Sequence, residues 1–162
     1  MTKVDMVLSD LHDAEQDLIL ALEQLGEKNH VDHEIAHVTR DLVRWSADHL
    51  SVLAEVAPRY GAELDPEARH TRNIAAAARR KTGEVLGRRH DPSLMLLDDL
   101  RDLYGSASRV QLDWEVLAQA AQALQDQDLV DRAESCRAQT QRQVTWAETK
   151  LKETAAQALV TP

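Results

Sequence analysis

Phenylalanine is absent from this 162-residue chain, and Trp and Tyr number only three and two. The apolar residues are therefore mostly Leu, Ala and Val, which suit helices better than strands. A single cysteine, Cys136, excludes an internal disulfide. No apolar run reaches membrane-spanning length, so no membrane partner is expected. Nor does any stretch combine the basic start, apolar run and small-residue cleavage site of a secretion signal, and the expected location is the cytoplasm. No period-two alternation or hairpin dipeptide is present, which removes the signals of a β-sheet. Gly-rich phosphate loops, nucleophile elbows and zinc-protease strings are missing too. Positive charge is in deficit. A net charge of −9 and a pI near 5.2 repel phosphates, so general nucleic-acid binding is not expected.

What remains is a set of amphipathic segments separated by caps and breakers. The first runs over about 2–26, from Thr2 with Asp5 in the capping-box position to Gly26. The second spans about 32–60, opening at Asp32, with Pro58 and Gly61 closing it; its seam is Ile35, Val38, Leu42, Trp45, His49, Val52 and Val56. Asp65-Pro66 and Asp91-Pro92 are paired start signals, an N-cap followed by proline at the first helical position. They predict a shorter helix over about 65–86 and a long one over about 92–125. The last helix covers about 128–158, capped by Asp128, with a seam of Val130, Ala133, Arg137, Thr140, Val144, Ala147 and Leu151 and a short tail from Leu159. The expected fold is all-α, one domain over 1–162. Two antiparallel helical hairpins form a four-helix bundle, and a long crossover carrying a fifth, shorter helix joins them.

Glu15 is the residue that demands explanation. It interrupts the apolar stripe of Val4, Leu8, Leu11, Leu18, Leu22 and Leu25, and a buried carboxylate costs several kcal/mol unless something neutralises it. Antiparallel pairing about the turns sets Trp45 level with Glu15 and Trp114 level with Thr140, with Arg137 one turn away. These five residues are the expected buried polar network, in which a tryptophan N–H, Arg137 or both satisfy Glu15. The bland alternative is a Glu15 that sits off the seam and reaches solvent.

The chain resembles the ferritin-like superfamily, in particular a group of small bacterial ferritin-like proteins. The resemblance rests on Leu11-His12-Asp13-Ala14-Glu15, Arg44-Trp45-Ser46-Ala47-Asp48-His49, Leu112-Asp113-Trp114-Glu115 and the stretch from Trp146 to Glu153. It implies the bundle fold and, for a member with an intact site, two irons held by one Glu from each of two helices and a Glu-x-x-His from each of the other two. Glu15 fits the first such position. The third seam has no carboxylate, however, and the chain's last histidine is His90, so the fourth helix has none. Glu34 to His37 and Glu67 to His70 match the string but fall at a helix start and at the start of the crossover. The expectation is therefore no cofactor and a non-catalytic interaction or structural role. The competing reading is a di-iron-type oxidase or iron-handling protein using Glu15, Asp48 and His49.

The remaining candidates carry paired readings. His49 is either a second ligand to Glu15's site or a neutral core histidine bonded to a carbonyl. His12 bonds Glu15 or is exposed. His30, His33 and His37 share a helix face with Asp41, as a surface metal or pH-responsive cluster or simply as a solvated helix start. Cys136 beside Arg137 is a low-pKa thiol or inert packing. The crossover concentrates Arg69, Arg72, Arg79, Arg80, Lys81, Arg88 and Arg89 against one Glu, a surface for an anionic partner or for the chain's own acidic helices. Self-association as a homo-oligomer, a dimer first, is the remaining partner expectation.

Overall fold

The computed structural model describes residues 2–69 and 91–161. Among them are four long helices: α1 (Val4–Lys28), α2 (His33–Val56), α3 (Pro92–Ala123) and α4 (Gln127–Val160). No strand occurs among the described residues. Short turns make α1–α2 and α3–α4 antiparallel hairpins. The hairpins also meet antiparallel: Lys28 at the end of α1 reaches Asp99 at the start of α3, and Lys150 late in α4 reaches Glu34 early in α2. Both α2 and α3 therefore start at the same end of the bundle. The end of α2 and the start of α3 therefore lie at opposite ends of the bundle, too far apart for a tight turn to join.

The helix ends follow from local chemistry. The Asp32 side chain accepts from Ile35 N–H, and Asp91 accepts from Ser93 N–H ahead of Pro92. Pro58 and Gly61 do end the second helix, through a 3-10 turn over Ala57–Tyr60 and a left-handed Gly61 at φ 79°. Other boundaries differ from expectation. α1 starts after Lys3 with no side-chain cap, so Thr2 and Asp5 form no capping box. α4 is capped by Asp126 rather than Asp128: Asp126 N–H closes the end of α3 on Ala121 O while its side chain accepts from Leu129 N–H. One residue thus ends α3 and begins α4, with Gln125 taking the left-handed conformation between them at φ 57°. α4 also continues through Leu159 to Val160, where a tail was expected. Residues 66–67 form a bend, and no helix starts among residues 65–69, although Asp65 Oδ1 accepts from Glu67 N–H as Asp91 does from Ser93 N–H. The rest of the expected crossover helix lies outside the described residues.

Leucine side chains of α1 meet Leu100, Leu103, Val110, Trp114 and Leu117 of α3 in one apolar core. The α2–α4 side is different. Polar groups cross it at successive levels: Glu34 with Lys150, Ser46 with Gln143, His49 with Gln139, Glu55 with Arg132. At the far end Tyr60 O–H donates to Asp126 and Arg59 pairs with Asp128. The bundle is therefore leucine-rich on one side and hydrogen-bonded on the other, and the site lies where the two meet.

Candidate functional site

Glu15 is fully buried, at 0% exposure, in the middle of α1. Its Oε1 accepts two hydrogen bonds, from the Trp114 indole Nε1–H at 2.8 Å and from His49 Nδ1 at 2.7 Å. The His49 ring, 1% exposed, stands edge-on to the Trp114 ring with centroids 5.6 Å apart at 77°. Its other nitrogen, Nε2, lies 2.8 Å from Gln139 Oε1 on α4. One side chain from each of the four helices thus joins a single chain of contacts: Gln139, His49, Glu15, Trp114. Each is placed by its helix. Glu15 follows the Leu8–Leu11 stripe, Trp114 falls on the α3 seam between Val110 and Leu117, and His49 shares the inward face of α2 with Ser46 and Leu53.

The electrostatics favour an ion pair. Burial on its own would lower the pKa of His49. The hydrogen bond and charge of Glu15 outweigh it, with smaller help from Gln139 and Asp48, and the imidazole pKa is raised above its usual 6.5. A doubly protonated ring suits the geometry, since both of its nitrogens face oxygens. Glu15 Oε2 is buried with no hydrogen-bond donor within reach among the described residues. The carboxylate is therefore held by one oxygen only.

The expected network was only partly assembled this way. Trp114 does bond Glu15. Arg137 does not: it lies on the outer side of α4, paired with Glu134 and Glu115. Cys136 occupies the inward position instead: the buried face of α4 keeps Ala133, Thr140, Val144 and Ala147 of the expected seam but takes in Leu129, Cys136 and Gln143, while Val130, Arg137 and Leu151 lie at its edge. Thr140 is buried, but its hydroxyl donates to Cys136 O in its own helix. Trp45 is only partly buried at the edge of the core, and Ser46 and His49 take the inward positions. The partner of Glu15 on α2 is therefore His49, one turn beyond the residue that simple level-matching selects. His49 meets a carboxylate and an amide, where a carbonyl had been one of the expected partners.

Asp48 is exposed on α2. His12 is buried but bonds Asp65 O rather than Glu15. Beside it, Gln16 donates to Glu67 O and accepts from Arg69 N–H, so α1 grips the backbone of 65–69 through two side chains that hydrophobic patterning did not mark. His30, His33 and His37 are exposed; His37 lies 3.7 Å from Asp41, and His30 Nδ1 is 3.1 Å from Glu27 O. Burial, with the nearby Glu15 charge, pushes the Cys136 thiol up to about 12, the opposite of an activated cysteine. Arg69 pairs with Asp13 at 3.7 Å. Arg72, Arg79, Arg80, Lys81, Arg88 and Arg89 lie outside the described residues.

Among the described residues few donors reach this centre: Glu15 Oε1 and His49 Nδ1 face each other at 2.7 Å, the Trp114 indole N–H donates and cannot ligate, and Glu15 Oε2 is the one oxygen left without a partner. Among the described residues no group of three or more His, Cys, Asp or Glu side chains is placed to share an ion. No described helix is long and apolar enough to cross a membrane. Compared with known protein families, curated proteins and solved structures, the chain matches none.

Proposed function

We propose that this chain is a ferritin-like bundle without a di-iron centre, acting as a non-catalytic interaction or structural module. The observation that carries this reading is the centre of the bundle, where Glu15 spends its one engaged oxygen on an indole and an imidazole. The helix directions support the ferritin-like part: α2 and α3 run the same way and need a long connection between them, as in bundles with a single crossover. The oxidase reading loses Asp48, which faces solvent, and finds His49 already bonded on both nitrogens.

Aerobic addition of ferrous iron, desalting and metal analysis tests the reading. The expected result is far less than one retained iron per chain and no growth of ultraviolet absorption. Retention of about two irons per chain, the complement of an intact bundle site, would overturn it.

A further inference from the structure

Of the four side chains joined at the centre, Glu15, His49 and Trp114 are buried, and only Gln139 is in part exposed to solvent. Its Oε1 faces His49 Nε2 at 2.8 Å, while Glu15 Oε1 faces Nδ1 at 2.7 Å. An amide oxygen and an ionised carboxylate both accept and never donate, so this arrangement requires a proton on each ring nitrogen. The Gln139 amide nitrogen makes no hydrogen bond among the described residues. The ring alone orients the amide.

Once the ring loses one proton, these two contacts cannot both persist. The proton that stays sits on Nδ1, because a bare Nδ1 would set a lone pair against the buried Glu15 carboxylate. Nε2 then turns its own lone pair toward the Gln139 oxygen, and two acceptors face each other at 2.8 Å. We propose that Gln139 answers by turning its amide over, donating N–H to His49 Nε2, so that the protonation of the sealed centre is displayed at the surface of the bundle. Beside a doubly protonated ring the amide offers N–H donors to the outside, and beside a neutral ring it offers its carbonyl. The movement is small, since the last torsion of a glutamine side chain is broad and two-fold. Few other charges bear on the ring. Glu15 reaches it from α1, and Asp48 acts more weakly from its own helix. α3 presents the neutral Trp114, and the Cys136 thiol of α4 stays protonated because burial pushes it up to about 12. The amide therefore reads a single proton. This device needs no partner and stands apart from the interaction-module reading.

Nitrogen NMR of the metal-free wild-type chain from pH 5.5 to 10 tests it, with the Gln139 amide resonances identified by their loss in Gln139→Glu. The expected result is that these resonances and those of the His49 ring move with one midpoint. A scalar coupling between Gln139 Nε2 and His49 Nε2, carried by the new hydrogen bond, should be absent below that midpoint and present above it. Gln139→Glu, which accepts and cannot donate, should raise the His49 midpoint by about one pH unit or more, with far-UV circular dichroism as its folding control. A coupling missing above the midpoint, a coupling already present below it, or a ring that never titrates while the protein stays folded would each overturn the proposal. So would a Gln139→Glu midpoint at or below that of the wild type.

Discussion

Glu15 and His49 should be energetically inseparable, and a double-mutant cycle measures how far. In Glu15→Leu, the His49 imidazole loses its carboxylate in a site 1% exposed, and the Trp114 N–H loses its acceptor. Removing one partner of a buried pair typically costs about 3–5 kcal/mol, and orphaning a buried donor about 1–3. His49→Leu strands the Glu15 carboxylate with one indole donor for its two buried oxygens, again about 3–5 kcal/mol. In the double variant neither charge remains, and two leucines of similar bulk pack against Trp114. The cost left is mainly the indole donor, about 1–3 kcal/mol. The singles should therefore sum to at least about 3 kcal/mol more than the double, measured by urea unfolding with the slope unchanged. The sign with pH follows from the raised His49 pKa: its contribution is fully present below 6.5 and is lost as pH rises through the folded-state value. Coupling should thus be larger at pH 6 than at pH 9. A coupling below about 0.5 kcal/mol, or one that grows with pH, would refute the reasoning.

Three further substitutions or reagents probe the frame around the pair. Gly26→Ala would ordinarily gain about 1 kcal/mol inside a helix, but here a Cβ would overlap Thr39 Oγ1, so thermal unfolding should show destabilisation of about 1–3 kcal/mol, relieved by adding Thr39→Ala. Asp126→Ala removes both the α4 cap and the acceptor of Tyr60 O–H at 2.6 Å, and should cost about 1–3 kcal/mol; Asp128→Ala, at the cap expected from sequence, should cost under about 1. With its pKa pushed up to about 12, Cys136 should resist alkylation in the folded protein at pH 8 and react at the ordinary thiol rate in denaturant; equal rates would contradict its burial.

Much of the bundle is legible from its leucines. Glu15 stands out because it breaks an apolar stripe, and Trp114 because the α3 seam is regular. The phases of α2 and α4 are harder to read, since their inward faces carry Thr39, Ser46, Thr140 and Gln143, polar residues that hydrophobic periodicity does not count. The pattern therefore prefers Trp45 and Arg137, which turn out to flank the core. One usable signal was present in α4: Cys136, Thr140, Gln143 and Ala147 recur at helical spacing and mark its true buried face. The grip of Gln16 on Glu67 O and Arg69 N–H left no such trace, because it joins a side chain to backbone some fifty residues away in sequence.

The most direct test of the central claim is the nitrogen spectrum of the His49 imidazole, recorded with the Trp114 indole proton from pH 5.5 to 8. The account predicts a ring still protonated on both nitrogens at pH 6.5, beside an indole N–H protected from exchange, with the protection lost in Glu15→Ala. A neutral, single-tautomer ring at pH 5.5, or an indole proton that exchanges freely in the wild-type protein, would contradict it.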